Sequence, residues 1–277
     1  MLAAVVFVFT YVAFSVGRIP GFRSDRVAAA IIGAVLLVAL RVMSLTEAQA
    51  AIDGSTLGLL FGMMVLSAAL DVSGTFARAG WWVIRRARSP LGLLAGISFA
   101  SAVLSAFLIN DVVCIAFTPL VLRIAEAVDR DPKPYLLALA TSSNIGSVAT
   151  VTGNPQNILI ASLSHIAYAK FARVLAPVAI IAVLLNVAVI WVVYRQALGG
   201  PLPVATPEKR PHVYGRWVWK SGLLLLAVLV AFLAGVPPVM AALLGAASTM
   251  LTRAVNPKRL YVRVDWTLLA LFAGSHS

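Results

Sequence analysis

The chain has 277 residues, 61% of them hydrophobic and only 12% charged, which excludes an ordinary soluble domain and implies an all-α polytopic membrane protein. The net charge of +12 falls in short basic clusters between apolar runs rather than on one face or tail, so it reads as cytoplasmic loops beside a lipid bilayer and excludes nucleic acid as a partner. Cys114 is the only cysteine, which leaves no disulfide framework and no cysteine-based metal site.

Residues 1–17 are apolar, with no basic run ahead of them and no clear cleavage site, and read as a first membrane helix rather than a signal peptide. A spanning helix needs about 20 apolar residues. The candidates are 2–16, 27–43, 56–72, 135–150 with a broken continuation to about 168, 174–194, 217–234 and 239–252. Gly54, Gly58 and Gly62, and separately Gly92 and Gly96, keep the small-xxx-small spacing of close helix packing. Residues 76–88 mix aromatic rings with Arg78, Arg85, Arg86 and Arg88 and read as an interfacial segment with snorkelling arginines. The apolar run 91–122, interrupted at Asn110-Asp111, is long for one crossing and short for two. A helical hairpin over about 91–128 that enters the membrane and turns back near Asn110 fits its length; two crossings with an outside turn are the other reading. The segment 196–216, with Pro201, Pro203, Pro207 and Pro211, reads as an extended cytoplasmic linker.

The distribution of basic residues orients these helices. Arg18, Arg23 and Arg26 put the first loop inside and the N-terminus outside. The loop carrying Arg41, Glu47 and Asp53 is then outside. The arginines of 78–88, with Arg123, Arg130 and Lys133, return inside, as do 195–220 and 253–263; Lys170 and Arg173 are the exceptions. An internal repeat follows. Gly33, Arg41, Asp53, Leu57, Leu59 and Gly62 match Gly245, Arg253, Asp265, Leu269, Leu271 and Gly274 without a gap. Arg41 ends its helix outside and Arg253 inside, so the two copies run oppositely, as in inverted-repeat secondary transporters. The chain divides into a first helix and loop (1–26), a first repeat (27–195), the linker (196–216), and a linking helix with the opening of a truncated second repeat (217–277).

Two polar interruptions carry the chemistry. Asn110-Asp111 lies inside an apolar run, where an ionisable group is expensive and points to function. Asp111 offers a carboxylate to Na⁺ or a proton site, and Asn110 an amide donor and acceptor. A solvated turn is the rival. The second interruption is the stretch 141–157, TSSNIGSVATVTGNPQN, in which Pro155 removes a donor and forces Asn154 from helical angles, so the helix opens near 152–157. Unwound backbone at membrane depth is tolerated where it is buried in protein or lines a cavity. The hydroxyls and amides of Ser142, Ser143, Asn144, Thr150, Thr152, Asn154 and Asn157 suit a hard cation, the amides after Pro155 suit an anion, and Gly153 admits a close ligand. Asp53 and Asp71 read as solvated or capping groups near helix ends, and His165 as interfacial. With no GxxxxGK[ST], HExxH or GxSxG, ATP-driven transport by this chain and membrane hydrolase activity lose support; the chain is not expected to be an enzyme or to carry a cofactor.

The segments FLINDVVCIAFTPL (107–120) and SSNIGSVATVTGNPQNI (142–158), with the opening at 53–63, resemble the ion transporter superfamily, which includes arsenite/anion permeases and sodium-coupled divalent-anion symporters. The resemblance covers most of 27–195. It implies a re-entrant hairpin with Asn110-Asp111 at its tip facing a broken helix at Gly153-Asn154-Pro155. It further implies sodium and an anionic substrate held between scaffold and transport domains, and a homodimer. Asp111 stands where dicarboxylate members carry Thr in a Ser-Asn-Thr motif, and Ile109 where they carry Ser, which leans away from dicarboxylates and toward the arsenite-permease-like branch or another anion branch. The expectation is therefore an ion-coupled transporter of a small anion in the cell membrane, driven by Na⁺ or H⁺. Its substrate site would comprise Asn110, Asp111, Asn144, Thr152, Gly153 and Asn154, with Ser105, Ser142, Ser143, Thr150, Pro155 and Asn157 in support and Na⁺ at Asn110, Asp111 and Gly153. A sodium/proton antiporter using Asp111, and a structural membrane subunit without transport, are the rivals.

Overall fold

A computed structural model describes residues 2–16, 26–202, 215–251 and 257–275, and among these the regular structure is entirely helical. Arg18 and Arg23, the linker residues Pro203, Pro207, Glu208, Lys209, Arg210 and Pro211, residue Thr252 at the end of the last candidate span, and Arg253 of the repeat lie outside the described residues. In chain order the helices are α1 (Leu2–Val16), α2 (Arg26–Ala39), α3 (Leu45–Ala51), α4 (Gly54–Ser73), α5 (Thr75–Arg86), α6 (Pro90–Phe107) and α7 (Asn110–Ala127). They continue with α8 (Lys133–Ser147), a 3₁₀ turn (Val151–Gly153), α9 (Pro155–Ser164), α10 (Tyr168–Val193), α11 (Gly215–Leu233), α12 (Pro238–Leu251), α13 (Pro257–Tyr261) and α14 (Trp266–Ser275). Among the described residues α4, α6 and α10 are long and apolar enough to cross a membrane, and α2, α11 and α12 are shorter apolar helices.

Helix ends explain where these bounds depart from the expected ones. α2 stops at Ala39, short of residue 43, because Arg41 adopts left-handed angles (φ 55°). The Arg41 amide then donates to the Val38 carbonyl (3.0 Å) and the Val42 amide to the Leu37 carbonyl (2.9 Å). This paired closure is a Schellman motif. Asp129 closes α7, His165 closes α9 and Gly235 closes α11 in the same way. α10 starts at Tyr168 rather than 174, taking Lys170 and Arg173 into its first turns. Its 26 residues extend about 39 Å, enough to carry both charges beyond an apolar core about 30 Å thick. Helix α3 has no counterpart among the expected elements. It is set by a capping box, in which the Glu47 amide donates to Ser44 Oγ (3.1 Å) and the Ser44 amide to Glu47 Oε2 (2.7 Å).

The chain forms two compact units, one of residues up to Phe61 together with those from Asp265, the other of Gly62–Val264. In the first, α2 packs on α1 and α14. A Cβ on Gly33 would lie 2.6 Å from Thr10 Cγ2, so the α1–α2 approach requires glycine there. Asp53 caps α4, accepting from the Ser55 amide (2.9 Å) and Thr56 Oγ1 (2.6 Å), and Asp265 caps α14, accepting from the Leu268 amide (2.9 Å).

In the second unit α6, α7 and α8 enclose a core of Leu93, Leu94, Ile97, Val113, Phe117, Val121, Ile124, Tyr135 and Leu139. Apolar burial from lipid gains little, so close packing has to hold these helices. Accordingly a Cβ on Gly146 of α8 would come within 2.6 Å of the Ala102 carbonyl carbon of α6, and one on Gly62 of α4 within 2.8 Å of that of Ala242 in α12. Asp71, near the end of α4, is neither a cap nor a bare solvated carboxylate: it accepts from Arg263 Nε at 2.6 Å.

Candidate solute site at the hairpin tip and helix break

Helices α6 and α7 form a hairpin whose connection is only Leu108 and Ile109, both extended (φ −126°, ψ 161° and φ −64°, ψ 124°). These two side chains are 0% and 1% exposed, so the turn is packed in protein rather than solvated. Asn110, the first residue of α7, is buried as well, whereas Asp111 beside it is exposed. Ile109 has no side-chain acceptor, so the first amides of α7 carry no side-chain cap. The positive end of the α7 dipole is therefore directed at this point, where it favours an anion or the Asp111 carboxylate.

The helix break begins earlier than expected, covering residues 148–154 instead of 152–157. The reason is the position of Pro155. It is the first residue of α9, where a missing N–H costs nothing, so the proline starts a helix and constrains only the residue before it. Asn154 is accordingly extended (φ −150°, ψ 159°) and caps α9, its Oδ1 accepting from the Asn157 amide at 2.8 Å. Asn157, inside α9 and buried, donates through Nδ2 to the carbonyls of Thr150 (2.8 Å) and Ser147 (3.1 Å), two of the acceptors freed by the break. Gly153 is required by the break itself. A Cβ there would lie 2.6 Å from Ser147 Cα, so its close approach is to α8 backbone.

The hairpin tip and the break are joined by a continuous set of hydrogen bonds. Asn110 Nδ2 donates to Asn144 Oδ1 (2.9 Å), Ser147 Oγ donates to the Asn144 carbonyl (2.7 Å), and Asn154 Nδ2 donates to Ser147 Oγ (2.9 Å). Alongside, Ser143 Oγ donates to the Asn110 carbonyl (3.1 Å) and pairs with Ser105 Oγ (2.6 Å), and Thr150 Oγ1 donates to the Ala106 carbonyl. Thr152 Oγ1 lies 3.3 Å from Thr150 Oγ1 and 3.2 Å from the Tyr168 hydroxyl. Two helix C-termini (α6, α8) and two N-termini (α7, α9) meet here.

The same bonds sort the candidate residues. Ser105, Ser142, Ser143, Thr150, Thr152, Asn154 and Asn157 spend their side chains on neighbouring protein groups, and Gly153 and Pro155 shape the backbone. Asn144 too is spent on protein, its Oδ1 accepting from Asn110 and its Nδ2 donating to the Ala140 carbonyl (3.0 Å), so among these amides Asn110 alone keeps a buried end unpaired. Asn144 and Asp111 are exposed, and Asn110 Oδ1 is a buried acceptor with no hydrogen-bond partner. A buried amide oxygen left unpaired costs about 1–3 kcal/mol, which a cation or an N–H or O–H donor placed there would recover. Asn110, Asp111 and Asn144 present amide and carboxylate oxygens at this tip, donors that suit a hard ion.

Three participants were not anticipated from sequence. Ser147 is the bridge between Asn144 and Asn154. Tyr168 supports Thr152 and packs against Phe232 of α11, the ring centroids 5.0 Å apart and the planes tilted by 38°. Asn186 Nδ2 donates to both Thr141 Oγ1 and Ser142 Oγ at 2.9 Å, tying α10 to α8. A lone amide within the otherwise apolar run 174–193 of α10 was the available signal for Asn186.

Comparison with known proteins identifies the family of the chain. The family model described as citrate transporter matches residues 7–276. The silicon efflux transporter LSI3 of Oryza sativa subsp. japonica is 37% identical over 182 residues, 66% of this chain and 38% of that protein. The 46 kDa membrane protein of Mycobacterium leprae is 29% identical over 288 residues, 99% of this chain and 66% of that protein. The putative transporter arsB of Dictyostelium discoideum is 31% identical over 173 residues, 62% and 31% of the two. The chain thus spans between about a third and two thirds of the length of these relatives. With nearly its whole length matched and the helical architecture above, the chain belongs to the citrate transporter family of the ion transporter superfamily.

Proposed function

We propose that this chain provides one half of the solute pathway of an ion-coupled secondary transporter for a small anion, in a cell membrane, with the N-terminus outside and a homodimer as the working form. In this reading α6–α7 is a re-entrant hairpin and α8–α9 a broken helix. Asn110, Asp111 and Asn144 contact the solute or its coupling ion, Na⁺ or H⁺, while Asn154, Asn157, Thr152 and Gly153 hold the break open. The observation that carries it is the Asn110 side chain, 7% exposed, with one amide atom bonded to Asn144 and the other unpaired.

Two further features support inverted repeats around this site. Asp53 and Asp265, equivalent in the repeat, each begin a helix, accepting through their carbonyls from the equivalent Leu57 (3.1 Å) and Leu269 (3.2 Å) amides. Gly33 and Gly245, also equivalent, each sit at a close approach to the preceding helix, a Cβ on Gly245 reaching 2.5 Å from Val228 Cγ2. Alternating access would then rock one repeat against the other around the fixed site.

Thermal unfolding of the purified protein with citrate as the anion probe, in sodium or choline medium, tests the reading. Stabilisation by citrate that is larger in sodium and lost in Asn110→Ala is the expected result. Stabilisation by sodium alone, lost in Asp111→Asn and indifferent to anions, would favour an antiporter. No response to any ion or anion would favour a structural subunit.

A further inference from the structure

Outside that site the most distinctive surface belongs to α5. Its inward face is Phe76, Gly80 and Val83, all buried. Phe76 meets Phe117 edge-on with ring centroids 5.7 Å apart, a Cβ on Gly80 would come 2.8 Å from Leu120 Cγ, and one on Gly96 2.7 Å from Val83 Cγ1. At about 100° per residue the opposite face carries Arg78, Trp81, Trp82, Arg85 and Arg86. The arginines there are exposed, as is Arg88 just beyond, and Trp82 is 53% exposed. The two arginines one turn beyond the two indoles lie over them: Arg85 Cζ is 4.8 Å from the Trp81 ring centroid and Arg86 Cζ is 4.6 Å from that of Trp82.

This combination selects its surroundings. A face turned to acyl chains would not hold guanidinium groups, and a face turned to bulk water gains nothing from the exposed Trp82 indole beside the half-buried Trp81. The boundary between the two suits both. Between Gly74 and Ser89 there is no acidic residue, so the helix supplies no counter-charge of its own. A guanidinium stacked on an indole uses its flat face and leaves the edge with its N–H donors directed outward, the geometry that grips a phosphate through two oxygens.

We propose that α5 is a docking surface for anionic phospholipid headgroups, with the Trp81 and Trp82 rings at the acyl boundary and Arg78, Arg85, Arg86 and Arg88 on the lipid phosphates. The inference stands apart from the solute site and survives or fails independently of it. The test is tryptophan quenching of the full chain in nanodiscs containing either brominated phosphatidylglycerol or brominated phosphatidylcholine in a phosphatidylcholine background. The wild type should show a several-fold preference for phosphatidylglycerol that weakens with salt, since each basic residue at such a surface contributes roughly a fivefold preference. Trp82→Phe should remove part of the phosphatidylglycerol-specific quenching, and Arg78→Gln/Arg85→Gln/Arg86→Gln/Arg88→Gln should abolish the preference while thermal unfolding stays unchanged. Equal quenching of the wild type by both lipids overturns the proposal without recourse to any variant. So does a preference that the fourfold variant retains, or one lost only because that variant shifts from dimer to monomer, which would put a second copy on this face.

Discussion

Asn110 Nδ2 donates to Asn144 Oδ1 across 2.9 Å, joining the first residue of α7 to the last turn of α8. The bond fixes one end of the Asn110 amide and leaves Oδ1 buried and unpaired beside an exposed carboxylate. Asn110→Ala should therefore change intrinsic stability by no more than about 1 kcal/mol, since it removes an unpaired acceptor together with one bond. Ion- or anion-dependent stabilisation should vanish. Paired melts with and without solute read both quantities.

Gly153→Ala and Gly146→Ala should be far costlier than Gly54→Ala. The first two would drive a Cβ into the backbone of Ser147 and Ala102, which cannot swing aside, whereas nothing lies within 4 Å of a Cβ on Gly54. A loss of about 1–3 kcal/mol or more is expected for the tight positions. At Gly54 a gain of up to about 1 kcal/mol is expected. Chemical denaturation in detergent provides the ranking.

Asn157→Leu should destabilise the break without altering the tip. It strands the Thr150 and Ser147 carbonyls that Asn157 Nδ2 now serves, at about 1–3 kcal/mol for each buried acceptor left unpaired. Hydrogen exchange should rise over 148–158 and remain unchanged over 108–113.

Arg130 holds the chain leaving α10. Its Nη1 donates to the carbonyls of Gly199 (3.0 Å) and Ala197 (3.4 Å) and its Nη2 to that of Pro201 (2.7 Å). Arg130→Lys cannot reproduce this fork. Tryptic cleavage at Arg195 should accelerate several-fold in Arg130→Ala and in Arg130→Lys alike.

Glu47 titrates below the ordinary glutamate range because its carboxylate accepts from the Ser44 amide and hydroxyl. A pKa lowered by folding means the capping box contributes above the unfolded value and is lost as pH falls through the folded one. Ser44→Ala removes the hydroxyl and keeps the amide, the larger cause, so in an NMR titration it should return the Glu47 carboxyl only part of the way to its ordinary value.

Much of this was legible in the residues. The hairpin and the break announced themselves because polar groups and a proline inside apolar runs have few physical explanations, and the tip and break do meet through Asn144 and Ser147. Two kinds of information were hidden. Helix ends at Arg41, Asp129 and His165 rest on left-handed residues other than glycine, so no punctuation marked them. Roles within the polar stretch depend on partners distant in sequence. Asn154 looked like a ligand because it precedes Pro155, yet its amide caps α9 and meets Ser147; Gly153 looked like an opening for a ligand, yet its space is filled by α8.

If the tip and break together grip a solute, that solute should shield a thiol placed beside them. Val148 lies in the break, exposed, and contributes no polar side chain to the site. In Cys114→Ser/Val148→Cys, labelling by a membrane-impermeant maleimide should slow several-fold when citrate and sodium are present together, and adding Asn110→Ala should remove that protection. A labelling rate indifferent to every ion and anion, or protection that persists without Asn110, would mean that the tip and break do not hold the solute.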